Sequence, residues 1–114
     1  MNLNFFLLFL FLFTSCTYNE IVPELNTSCN QEDGVEWSPS FNDCVEPIIQ
    51  NNCISCHADN SPSGSLSNYT QILDMVNNKD LLNRIKTDMP PSGTMSQNNI
   101  NIIEQWINNG ANNN

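Results

Sequence analysis

The chain has 114 residues and a formal net charge of −9, from 12 acidic side chains against 3 basic ones. That length allows one domain, and so few cations leave no patch to neutralise the phosphates of a nucleic acid. An acidic surface of this kind favours basic partners and solubility.

Residues 1–15 read MNLNFFLLFLFLFTS, with an unbroken apolar run from Phe5 to Phe13. The run is too short to span a bilayer and suits the h-region of an export signal, although MNLN carries no Lys or Arg. A buried helix or strand is the competing reading. Phe13-Thr14-Ser15-Cys16 resembles the lipobox of bacterial lipoproteins, with Phe13 where that family usually has Leu. The resemblance implies that Cys16 becomes a lipidated N-terminus and anchors an exported, periplasmic or cell-envelope protein to a membrane. A plain secreted protein cut near this point is the alternative. Outside the cytoplasm, spare cysteines tend to pair.

Residues 16–40 read as a flexible tether, rich in turn formers and without a sustained period. Asn26-Thr27-Ser28 and Asn68-Tyr69-Thr70 match the glycosylation pattern, as chance allows in a chain this rich in asparagine. From residue 41, Phe41, Cys44, Val45, Ile48 and Ile49 fall on one helical face. Pro47 belongs in a first turn, which places the helix start near Asn42 or Asp43. This helix runs into Cys53, and a Ser/Asn/Pro/Gly loop follows from Ala58 to Ser65.

Tyr69, Ile72, Leu73 and Val76 predict a second helix over 67–77. Leu81, Leu82 and Ile85 predict a short third one after an Asn77-Asn78 turn. Asp88-Met89-Pro90-Pro91-Ser92-Gly93 excludes regular helix or sheet. The last helix is predicted from Ser96 as N-cap, through Ile100, Ile103, Trp106 and Ile107 on one face, to Gly110 as terminator. No stretch alternates like a strand, so the fold class is all-α. Its core is thin for an independent domain, and something else should fill the middle.

Cys53-Ile54-Ser55-Cys56-His57 supplies a filler, because C-x-x-C-H is the attachment signature of c-type haem. Two thiols at i and i+3 on one helical turn reach the two vinyl groups of a porphyrin, and the adjacent imidazole comes under the ring to the iron. Two other chemistries use such cysteines. A thioredoxin-like dithiol needs a βαβ setting, which this chain lacks. A Cys₄ zinc site can be counted from Cys29, Cys44, Cys53 and Cys56, at a spacing foreign to zinc ribbons.

Residues 41–111 resemble a small monohaem c-type cytochrome. The matching pieces are the helix leading into CISCH, "LLNRI" at 81–85, "MPPSG" at 89–93 and a last helix ending "WINNGA". The resemblance implies a cytochrome c-like helical fold around one covalently bound haem c, with His57 and Met89 as the two iron ligands. The two prolines after Met89 restrict its loop to presenting one side chain, and a thioether is a soft ligand that raises the reduction potential. Met95 is the rival ligand, though its place before Ser96 also suits a hydrophobic staple. Met75 should pack within its helix. His57 should donate its second ring N–H to a backbone carbonyl, and the resemblance points to one beside Pro62. Arg84 meets a haem propionate or is a solvated helix residue. Trp106 and Phe41 should pack where the first and last helices meet.

With Cys16 lipidated and Cys53 and Cys56 on haem, Cys29 and Cys44 remain, either as a disulfide or as two buried thiols. Nothing supplies an acid–base pair or nucleophile beside a pocket, so no enzyme activity is expected. The functional expectation is one-electron transfer outside the cytoplasm by a membrane-tethered cytochrome, between redox partners with a basic docking face. A haem sensor or peroxidase-like protein with an open sixth position, and a zinc-stapled interaction module, are the other classes.

Overall fold

Ser40 opens the described helical structure by capping it, its Oγ accepting the Asp43 N–H at 3.2 Å. The computed structural model describes residues 29–30 and 36–114, and all regular structure among them is helical, as expected for an all-α chain. The export segment, Cys16 and most of the 16–40 tether lie outside the described residues. Among those described, no helix is long and apolar enough to cross a membrane.

The first helix starts at Phe41, slightly before the expected Asn42 or Asp43, because its opening turn is wide. Phe41–Val45 is a π-helical turn. Pro47 has no N–H for the Asp43 carbonyl four residues back. The N–H groups before it reach five residues back instead, Val45 to Ser40 O at 3.3 Å and Glu46 to Phe41 O. Helix α1, Glu46–Asn52, then carries Pro47 in its first turn. Phe41, Cys44, Val45, Ile48 and Ile49 are all buried, so the predicted face is the inward one.

Helix α2, Ile54–His57, is a single turn, and α3 is Tyr69–Asn78, capped by Asn68 whose side chain accepts the Gln71 N–H. The expected Asn77-Asn78 turn is displaced. The helix continues through Asn78, and the reversal falls on Lys79 and Asp80, the latter in the left-handed conformation at φ 55° that Asp tolerates better than most residues. Helix α4 is Leu81–Thr87, with Leu81 and Ile85 buried. It ends where the N–H groups of Asp88 and Met89 both reach the Arg84 carbonyl, at 3.0 and 2.9 Å. The irregular stretch that follows holds a cis Met89–Pro90 bond and a turn closed by Gly93 N–H on Pro90 O.

Helix α5, Gln97–Asn108, has Ser96 as its cap, the Oγ accepting from Asn99 N–H at 3.3 Å. Its terminator is a Schellman turn: Gly110 N–H bonds Ile107 O and Ala111 N–H bonds Trp106 O, with Gly110 at φ 96°. One detail of its face differs from expectation. Ile102 is buried with Ile100, Ile103 and Trp106, while Ile107 is half-buried. Helix α5 packs against both α4 and the π-helical turn, and two neighbours need a wider apolar stripe than one.

Phe41 and Trp106 meet at a centroid distance of 5.6 Å, where the first and last helices were expected to touch, and Tyr69 closes the cluster at 5.1 Å from Phe41. The tail then straps over these rings. Ala111 O accepts from Tyr69 OH, Asn112 O accepts from the Trp106 indole, and Asn114 accepts from Phe41 and Asn42 N–H through Oδ1 and O, all at 2.9 Å. The packed unit therefore extends past residue 111. It also begins before 41: Pro39 is buried, and Trp37 O accepts from the Gln105 and Asn109 side chains. Cys29 is bonded to Cys44, with Cα atoms 5.4 Å apart.

Ending the chain after Ala111 removes the acceptors of three N–H groups and should lower its stability by about 2 kcal/mol in urea titration; an unchanged midpoint would show the strap to be idle. Replacing Cys44 with Ser opens a loop with a sequence separation of 15. In the same titration that change should cost roughly 3 kcal/mol, as loop-closure entropy requires at this length.

Candidate functional site

The local chain geometry around the C-x-x-C-H motif follows from helix termination. Cys53 closes α1 by giving its N–H to Ile49 O at 2.9 Å, then falls off helical geometry at φ −121°. The next turn restarts from Cys53 O, which accepts from Cys56 N–H at 3.1 Å and His57 N–H at 2.9 Å. Cys53, Cys56 and His57 thus share one helical turn, with His57 at its carboxyl end.

The loop after His57 folds back to satisfy that end. Ser61 Oγ donates to Cys56 O at 2.8 Å, and Leu66 N–H donates to His57 O at 2.8 Å. Between them, Gly64 O lies 2.9 Å from His57 Nδ1. A carbonyl only accepts, so Nδ1 carries the proton and Nε2 keeps the free lone pair. The expected backbone acceptor is present, two residues beyond Pro62 rather than beside it. The shift follows from Gly64, whose φ of 96° turns the chain in a way that Pro62 and Ser63 do not. A Cβ at position 64 would run into the Met75 side chain.

This loop forms one wall of a cavity of about 720 Å³, inside the roughly 300–1,000 Å³ range of ligand clefts. Cys53, Cys56 and His57 line it from the motif side, and Met89, Pro90 and Met95 from the irregular stretch and the entry to α5. The residues singled out in the sequence therefore converge on one space, Met89 and its rival Met95 together. Met95 is also 5% exposed and buried in the same cluster as Ile100, as a staple would be.

Met75, expected to pack within its helix, also lines the cavity, half-buried, behind Gly64. Arg84 lines the cavity and pairs with Asp88 at 3.2 Å across two half-exposed side chains. Lys79 was missed altogether, and it lines the same space. Its only sequence signal was rarity, as one of 3 basic residues.

Burial pushes the Cys53 thiol up to about 11, whereas Cys56 is exposed. Cys29 and Cys44 do not line the cavity, and their bridge withdraws them from the four-cysteine zinc set. Among the described residues, no group of three His, Cys, Asp or Glu side chains is placed to hold a metal ion. None of these residues lies in a strand, so the βαβ setting of a thioredoxin-like dithiol is absent from them. Comparison with protein-family models, with curated proteins and with solved structures finds no match for this chain.

Thiolate is the species that alkylates. Near neutral pH, iodoacetamide should therefore modify Cys56 of the haem-free chain well before Cys53, as peptide mass mapping would show. Cys53 should catch up only as pH rises toward 11. Equal rates near neutrality would contradict this burial.

Proposed function

We propose that the chain is a monohaem c-type cytochrome that carries single electrons outside the cytoplasm, tethered to a membrane by lipid on Cys16. The observation that supports this is convergence: two thiols, an imidazole with its Nδ1 proton already committed, and thioethers all line one cavity of suitable size. That donor set suits a haem c better than any other common cofactor.

Cys53 and Cys56 are the two attachment thiols, spaced for one porphyrin. His57 offers Nε2 as an iron ligand, held in orientation by its bond to Gly64 O. Met89 is the second ligand, carried on a chain restricted by Pro90 and Pro91. Bound haem supplies a one-electron iron couple, and the soft thioether favours its reduced state. The buried side chains of Leu66, Leu81, Ile85 and Met95 give the cavity an apolar lining that suits a flat apolar ring. With His57 and Met89 both given to the iron, a bound haem would have no open position for a substrate, which suits a carrier rather than an enzyme. Its acidic surface suits redox partners with a basic docking face.

Expression in an export-competent host that matures c-type cytochromes tests this directly. A six-coordinate, low-spin spectrum that responds to redox agents and not to carbon monoxide or peroxide is expected. A high-spin ferric spectrum would make the protein a sensor or peroxidase-like haem protein, and a colourless zinc-containing product would sink the haem reading. Replacing Met89 with Ala should convert low-spin iron to high-spin. Persistence of the low-spin form would transfer the ligand role to Met95.

A further inference from the structure

The chain holds 12 acidic residues and 3 basic ones, yet the cavity reverses that balance. Two of the three cations, Lys79 and Arg84, line it, and no carboxylate does. They are brought there by the reversal between α3 and α4. The Lys79 N–H closes α3 on Met75 O, and Asp80 takes the left-handed conformation that starts α4 beside it. The cavity is otherwise walled by the His57 imidazole and by methionine, proline, aliphatic, thiol and small neutral side chains.

Resting on the haem reading above, we infer that Lys79 and Arg84 form an anion-holding lip, which takes the two carboxylates of a flat apolar ligand. On that reading the carboxylates are the haem propionates, so the lip also fixes which edge of the ring faces α3 and α4. The thiols of Cys53 and Cys56, on one helical turn, would hold the vinyl edge. Lys79 makes no ion pair among the described residues. Arg84 spends one guanidinium nitrogen, Nη1, on Asp88, and its remaining donors serve a second carboxylate in the forked geometry that arginine favours. The Arg84–Asp88 pair is exposed on both sides, and such pairs hold their partners weakly. Lys86, the third cation, is committed to Glu104 at 2.6 Å and does not line the cavity. It serves as the internal control.

The test compares wild type with Lys79→Gln/Arg84→Gln and with Lys86→Gln, each as the full matured chain, using the propionate-bending bands of the resonance Raman spectrum. The double variant should shift those bands while Lys86→Gln leaves them in place. Haem-bearing variants with unshifted bands would overturn the lip and leave the haem reading standing. If no haem attaches, that reading falls, and the lip is decided on the haem-free full chain by fluorescence titration with metal-free protoporphyrin and its dimethyl ester. The free acid should then bind about tenfold more tightly than the ester, as a charged hydrogen bond or two would give. That preference should vanish only in the double variant. Equal binding of acid and ester by wild type would overturn the lip.

Discussion

The hydrogen bond from His57 Nδ1 to Gly64 O is the constraint on which the site depends. It settles the imidazole tautomer, and with it which nitrogen is left to act. It also draws residues 58–66 back over the end of α2, where Leu66 N–H takes the His57 carbonyl. That closure raises one wall of the cavity and seats Gly64 against Met75, so that α3 buttresses a ring on α2 through one backbone turn. A single polar contact thus links motif, loop and neighbouring helix. It holds because the backbone at 64 has the freedom of a glycine at positive φ.

What was legible in the sequence was local. The 3.6-residue spacing of Phe41, Cys44, Val45, Ile48 and Ile49 marks a face without reference to anything else, and Ser96 and Gly110 act through backbone groups within a few residues of themselves. The cysteine and histidine positions were readable for the same reason, since one turn of helix brings them together. What depends on two distant elements was legible only where the family resemblance reached, as in the meeting of Phe41 with Trp106. Ile102 is buried because α5 has neighbours on two sides, which no periodicity within α5 reveals. Asn114 looks like a polar tail residue until Phe41 and Asn42 are beside it. Pro47 announced a first turn correctly, but not that the turn before it would widen. The carbonyl paired with His57 was sought near a proline, when the loop's one glycine was the better guide.

The expected thinness of the core has a counterpart in how the apolar residues are distributed. The large buried side chains, Trp106, Ile49, Ile72, Ile102 and Ile103, gather where α5 meets the first helical turn and α3. None of these lines the cavity, whose buried lining is Leu66, Leu81, Ile85 and Met95. A chain of this size that leaves so much volume between its helices gives up apolar contact that a bound group would restore. A ligand that binds only the folded chain at this cavity would stabilise it by mass action.

The Cys29–Cys44 bridge has a mechanical consequence. It joins the chain before residue 36 to the first helical turn at a point already buried among Phe41, Val45 and Trp106. A pull applied anywhere upstream of Cys29 therefore enters the domain through a covalent bond at Cys44. The segment from Glu36 to Ser40 is held by the hydrogen bonds that Trp37 O accepts from Gln105 and Asn109 and by those that Ser40 accepts from the first helical turn. Load arriving from that side would meet the domain at the buried turn that holds Phe41 and Val45, with α1 between it and the cavity-lining Cys53.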